Sequence, residues 1–220
     1  MLIQAFLQLS PGVFSLFYHY SLGKKSKQKT DDLSLSFILG VETCLAIVFL
    51  SIFIIISFVP FSEEFISDVF PWIMVGIFLA ESVATLLFYY RRGKYTELFL
   101  PRKLAGGLLT HAQNVRTRSD AFMLGAISSI PELIFTAPLL VYCISVSSYR
   151  ECAVAPAIII ILYVLSATIP LFVVRTFYKS GFNLAEIERL RVKTKSFFRL
   201  SIAVGFLILA IIAINNGIIK

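Results

Sequence analysis

Three glutamates stand inside long apolar runs: Glu42, Glu81 and Glu132. An ionised carboxylate in hydrocarbon costs on the order of 3 kcal/mol or more. Each must therefore face a protein interior and be neutralised by a proton, a hydrogen bond or a cation. No Lys or Arg shares their depth, because the basic residues gather at the ends of the runs. Adjacent buried carboxyl groups hold protons and release them to an arriving positive charge, which is the chemistry of proton–cation exchange. In this reading Glu42 and Glu132 coordinate the ion, as candidate metal ligands, and Glu81 assists. The plainer reading makes each glutamate a neutral acid bonded to a hydroxyl, with Thr43, Ser82, Thr85, Ser128, Ser129 and Thr136 as candidates.

The prolines beside these acids carry a second signal. Pro131 removes a backbone donor and frees the carbonyl of Ile127, and freed carbonyls in a membrane are tolerated where they line a cavity. Pro11-Gly12 breaks the first apolar run in a similar way. Pro138 and Pro170 are candidate kinks for gating, with ordinary helix packing as the alternative. His19, between Tyr18 and Tyr20, reads as part of an interfacial aromatic belt, and His111 joins no constellation. The three cysteines, Cys44, Cys143 and Cys152, have no metal-ligand or redox spacing, although Cys143 and Cys152 are near enough in sequence for a bridge. No Ser-His-Asp set, phosphate loop or HExxH pattern occurs, so neither an enzyme nor a cofactor is expected.

The elements that must position these residues follow from composition. Of 220 residues, 58% are hydrophobic and 15% charged, and the mean hydropathy is +0.85. A soluble domain carries about 25% charged residues, so this chain lacks the polar surface to cover itself in water. A bilayer core takes about 20 apolar helical residues. Six stretches qualify: Leu2–Leu22, Leu33–Val59, Phe70–Tyr90, Ala121–Val146, Ala155–Val174 and Phe197–Asn215. The first lacks the basic start and small-residue cleavage site of a secretory leader and reads as a span. At 1.5 Å per residue, Glu42 lies ~14 Å from the start of its run, and Glu81 and Glu132 ~16 Å from theirs. In a core about 30 Å thick all three fall near the midplane.

The net charge of +7 reports topology rather than nucleic-acid binding. Eighteen of the twenty Lys and Arg fall in alternate loops, leaving Arg150 and Lys220 opposite, and the loop with Glu63, Glu64 and Asp68 is acidic. The positive-inside rule then puts the basic loops in the cytoplasm and both termini outside a plasma membrane. Asn183 with Glu186 reads as the capped start of a surface helix leading into the last span. Leu98–Leu109, holding Pro101 and Gly106-Gly107, reads as an interfacial linker.

Three spans on each side of that linker predict an all-α integral membrane domain built as two inverted three-helix repeats, 1–95 and 118–220. Proline breaks at Pro11 and Pro131 occupy matching positions, as do the runs Ile73–Ile77 and Ile202–Phe206. The stretch Ala121–Leu140, AFMLGAISSIPELIFTAPLL, resembles the fourth helix of the cytochrome c biogenesis transmembrane proteins (the CcdA and DsbD type). Leu162–Val174 resembles their fifth, and Leu9–Gly12 resembles the start of those proteins and of the wider lysine-exporter (LysE) superfamily. In the CcdA type, cysteines follow the intramembrane prolines. Here Gly12 and Glu132 stand in those places, so the resemblance implies the exporter side of the superfamily rather than thiol chemistry.

The function expected is export of a cation or small polar solute, coupled to protons. The alternatives are a non-transporting subunit that docks a partner through its basic loops, and a thiol-electron carrier with atypical cysteines. The partners implied are the lipid bilayer and the transported solute, with a homodimer or a membrane partner subunit left open.

Overall fold

The computed structural model describes residues 13, 14, 17, 18, 21, 27–58, 64–87, 102–130, 133–149, 155–180 and 184–218, and all of its regular elements are helices. We number them α1 (Lys27–Phe58), α2 (Phe70–Leu87, entered through a π-helical turn, Phe65–Val69), α3 (Arg102–Asn114), α4 (Arg118–Ser129), α5 (Leu133–Tyr149), α6 (Ala155–Lys179) and α7 (Leu184–Ile218). Val13, Phe14, Phe17 and Tyr18, from the expected first span, are also helical.

Among the described residues, three helices are long and apolar enough to cross a membrane: Gln28–Phe58, Phe65–Leu87 and Ala157–Lys179. Thr136–Val146 and Arg199–Asn215 are shorter apolar segments. The outward faces of the long helices are apolar along their length. On α6, Ile158, Ile161, Leu162, Leu165, Ile169 and Phe172 are exposed, while Tyr163, Ala167 and Leu171 turn inward. Such a stripe, recurring every three or four residues, gives a helix two apolar faces. One packs on protein, and the other suits lipid.

Among the described residues, two packed clusters make up the interior. In the first, Phe14 and Phe17 meet Phe37 of α1, with ring centroids 5.2 and 5.8 Å apart. Leu108 and Ala112 of α3, Ala121 and Leu124 of α4, and Tyr163 and Leu171 of α6 join them. The second is smaller and joins α2 to α7 through Met74, Phe78, Phe206, Ala210 and Ala213. Phe78 stacks on Phe206 at 6.4 Å and meets Tyr142 of α5 edge-on at 5.5 Å. Only α5 contributes buried residues to both clusters among the described residues, with Leu140 and Ile144 in the first and Tyr142 in the second.

The crossing of α1 and α4 depends on two glycines. A Cβ on Gly40 would run into the Phe122 carbonyl oxygen, and one on Gly125 into that of Phe37. The contact is reciprocal, Phe37-x-x-Gly40 against Phe122-x-x-Gly125, and brings the two backbones together as small residues do between membrane helices.

Several boundaries differ from those the sequence suggests. The expected fourth span, Ala121–Val146, is two helices: α4 ends at Ser129, Ile130 bonds back to the Ile127 carbonyl, and α5 begins at Leu133. Pro131 lies between them, and a proline cannot continue the helical hydrogen-bond ladder. The expected linker is also helical from Arg102. Leu108, Ala112 and Val115 form an i, i+4, i+7 stripe on the first cluster, which fixes a segment too polar to be a span. The surface helix and the last span are one continuous α7, and Asn183, the cap expected from the sequence, lies outside the described residues.

Candidate functional site

Glu81 lies on α2, one turn beyond Phe78, on the helix face formed by Met74, Val75, Phe78, Ser82 and Thr85. It is only 9% exposed, and its Oε2 has no hydrogen-bond partner among the described residues. Thr85 is 2% exposed, and its hydroxyl is likewise without a partner among the described residues. Residues four apart stand one above the other on a helix, so the two unsatisfied oxygens share a face. Between them Ser82 donates to the Ala203 carbonyl of α7 at 3.0 Å, which fixes the seam against which this face packs.

Hydroxyls in apolar helices ordinarily bond back to a carbonyl three or four residues earlier. Elsewhere this chain follows that habit: Ser51 donates to Ile47, Ser57 to Phe53, Ser128 to Gly125, Ser129 to Ala126 and Thr176 to Phe172. Thr85 is an exception at the place where a carboxylate oxygen is also unsatisfied. Buried polar groups are nearly always bonded, and an orphaned one costs about 1–3 kcal/mol. Two such oxygens one turn apart on α2 are exceptions to that rule.

The other expected residues lie on other helices or outside the described residues. Glu42 is half-buried on α1, two residues past Gly40, and its neighbour Thr43 is exposed. Its helix contributes to the first cluster, whereas the helix of Glu81 contributes to the second. Glu132, Pro131, Pro11 and Gly12 lie outside the described residues. Among the described residues no group of three or more His, Cys, Asp or Glu is placed to hold a metal ion. Pro138 and Pro170 lie within α5 and α6, the first half-buried and the second buried. Of the hydroxyls suggested as glutamate partners, Ser82, Ser128 and Ser129 spend their protons on backbone carbonyls. Cys44 and Cys143 are free thiols, and Cys152 lies outside the described residues.

A second polar constellation closes one end of the bundle. Asp31, in the first turns of α1, pairs with Lys179 at 2.6 Å and Arg175 at 3.5 Å, both from the end of α6. It also accepts from the Tyr18 hydroxyl at 3.4 Å. Arg175 donates from Nε to the Ser34 hydroxyl at 3.1 Å, and Tyr18 stacks on Tyr178 at 4.8 Å. Asp32 pairs with Arg118 of α4 at 2.7 Å. Thr117 and Asp120 form a capping box at the start of α4, each side chain accepting from the other's backbone N–H. Composition alone suggested none of these pairs, but the Thr-x-x-Asp spacing before an apolar run is a legible helix-start signal.

At the other end, an apolar cavity of about 220 Å³ is lined by Ile56, Phe65, Ile66, Phe70, Met74 and Ser145, among others.

The chain matches no protein-family model, no curated protein and no solved structure.

Proposed function

We propose that the chain is a plasma-membrane exporter of a cation or small polar solute, coupled to proton exchange, with six spanning helices in two inverted repeats. Glu81 carries this reading: a carboxylate buried in an apolar helix, with one oxygen unpartnered among the described residues. A structural acid is expected to be fully hydrogen-bonded, whereas one that must bind and release protons or cations needs a lone pair left open. In this role Glu81 exchanges its proton for the solute, Glu42 and Glu132 line the path, and the break between α4 and α5 beside Pro131 opens it.

Two features favour the six-helix, inverted arrangement. The last helices of the proposed halves, α2 and α7, pack antiparallel, with Phe78 on Phe206 and Ser82 on Ala203. Tyr18 and the end of α6 meet the starts of α1 and α4 at one end of the bundle, through Asp31, Asp32, Arg118 and Lys179. That is the end from which the basic loops emerge. The resemblance to the lysine-exporter superfamily points the same way.

The test is a cation and amino-acid flux screen in proteoliposomes, comparing wild type with Glu81→Gln and Glu132→Gln. Flux should fall at least tenfold in Glu81→Gln while the variant purifies as a monodisperse protein. Wild-type rates in Glu81→Gln would remove the assignment.

A further inference from the structure

The apolar cavity lies where the two packed clusters meet, at the end of the bundle away from Asp31. Ile56, near the end of α1, lines it and packs on the first cluster. Phe70 and Met74 of α2 and Val141 of α5 line it from the second. We propose that this cavity holds the end of one phospholipid acyl chain, drawn from the leaflet on that side of the membrane.

The lining chemistry selects hydrocarbon. Every described side chain on the wall except Ser145 is apolar. A trapped water needs about two to four polar partners, and apolar cavities stay dry. A void there would leave the walls without dispersion partners, so an apolar occupant is favoured. The volume of about 220 Å³ exceeds the roughly 150 Å³ of an apolar cavity that takes up benzene. It falls short of the roughly 300 Å³ at which pockets for drug-sized ligands begin. A short run of methylenes fits that interval, whereas a whole lipid or its headgroup does not.

Position supplies the chain. Ile73 lines the cavity and is also 44% exposed, so the cavity reaches the outward face of α2. Val69 and Trp72 beside it in sequence, and Phe58 at the end of α1, are exposed and apolar, which makes the cavity continuous with the surface that suits lipid. The lining residues from Phe65 to Met74 take up the first ~14 Å of the span Phe65–Leu87. Half of a hydrocarbon core is about 15 Å, so they fall within one leaflet. The local backbone is also unusual there. Phe70 donates its N–H to the Phe65 carbonyl five residues back, and Pro71 after it has no N–H to give. The resulting π-helical turn, a form frequent at functional sites, puts Phe65 and Ile66 on the cavity wall.

This inference rests on the membrane reading of the chain and is independent of transport. The experiment is native mass spectrometry of the purified full chain in detergent, with dioleoyl phosphatidylcholine or dioleoyl phosphatidylglycerol added at increasing mole fraction. Retention should saturate near one lipid per chain, equally for the two headgroups. Val141→Phe and Ser145→Leu, which fill the cavity from α5, should each lower retention about tenfold. Ile161→Phe, on the exposed face of α6, should retain lipid as the wild type does.

Retention that climbs with lipid fraction without saturating overturns the proposal, because it reports only the general lipid coat. Wild-type retention in either filled variant, an equal loss in Ile161→Phe, or a tenfold preference for one headgroup also overturns it. If the filled variants cannot be purified, saturation and headgroup indifference of the wild type decide. Flux measured in parallel separates the two ideas: saturable lipid without flux of any solute sinks the exporter and keeps the acyl-chain site, and flux without saturable lipid does the reverse.

Discussion

Asp31 gathers three donors from two other helices: the Tyr18 hydroxyl, Arg175 and Lys179. Arg175 is mostly buried, while Lys179 is half exposed, so solvent screens part of the attraction. Asp31→Asn should cost about 1 kcal/mol, or about 2–4 °C in unfolding temperature for a chain of this size. The loss should shrink in high salt, which screens the exposed Lys179 more than the sheltered Arg175. Thermal unfolding of purified protein at low and high salt measures both effects. An equal loss at both salt levels would assign the stabilisation to packing of Tyr18 on Tyr178 instead. At this scale the sequence was legible where a residue is costly by type and opaque where its partner decides. Glu81 stood out because acids are expensive in apolar runs. Thr85 did not, because a threonine hydroxyl normally finds a carbonyl in its own helix, and only the structure shows that this one does not.

Among the elements, the crossing of α1 and α4 is the most sensitive to change. The clash that any Cβ on Gly40 or Gly125 would meet is with backbone, which cannot rotate aside as a side chain would. Gly40→Ala and Gly125→Ala should each cost about 1–3 kcal/mol by overpacking. Gly205→Ala on α7 provides the contrast, since it meets nothing within 4 Å. It should leave stability unchanged or raise it by up to about 1 kcal/mol, because alanine is the better helix former. Unfolding temperatures of the three variants test this directly, and equal effects at all three would refute the close crossing. Apolar run length made α1, α2 and α6 legible, and Pro131 made the end of α4 legible. The helix α3 was hidden by its glycine pair and polar composition: its stripe of Leu108, Ala112 and Val115 is short, and a bilayer-length window averages it away. The pairing of Gly40 with Gly125 depends on how two distant segments cross, which no local pattern encodes.

For the whole molecule, the charge pattern of the loops sets the direction expected in a membrane. Basic residues on the loops of one end predict that this end faces the cytoplasm. Ser67, in the π-helical turn before α2, and Ser180, just past α6, belong to opposite ends of their helices, and Ser180 is exposed. In a background with the native cysteines replaced, Ser67→Cys should react with a membrane-impermeant maleimide on intact cells. Ser180→Cys should react only after permeabilisation. The reverse pattern would invert the orientation, and labelling of both from outside would dismiss the spanning arrangement.

The position of α5 has one consequence for any motion of this bundle. Leu140 and Ile144 face one packed cluster while Tyr142 faces the other, so this helix serves as a common wall. If the clusters shift against each other, α5 must shear along one of its own faces, for it cannot travel with both. Ring packing of Tyr142 on Phe78 and Phe70 and aliphatic packing of Leu140 and Ile144 are thus the two surfaces between which the molecule chooses where to slip.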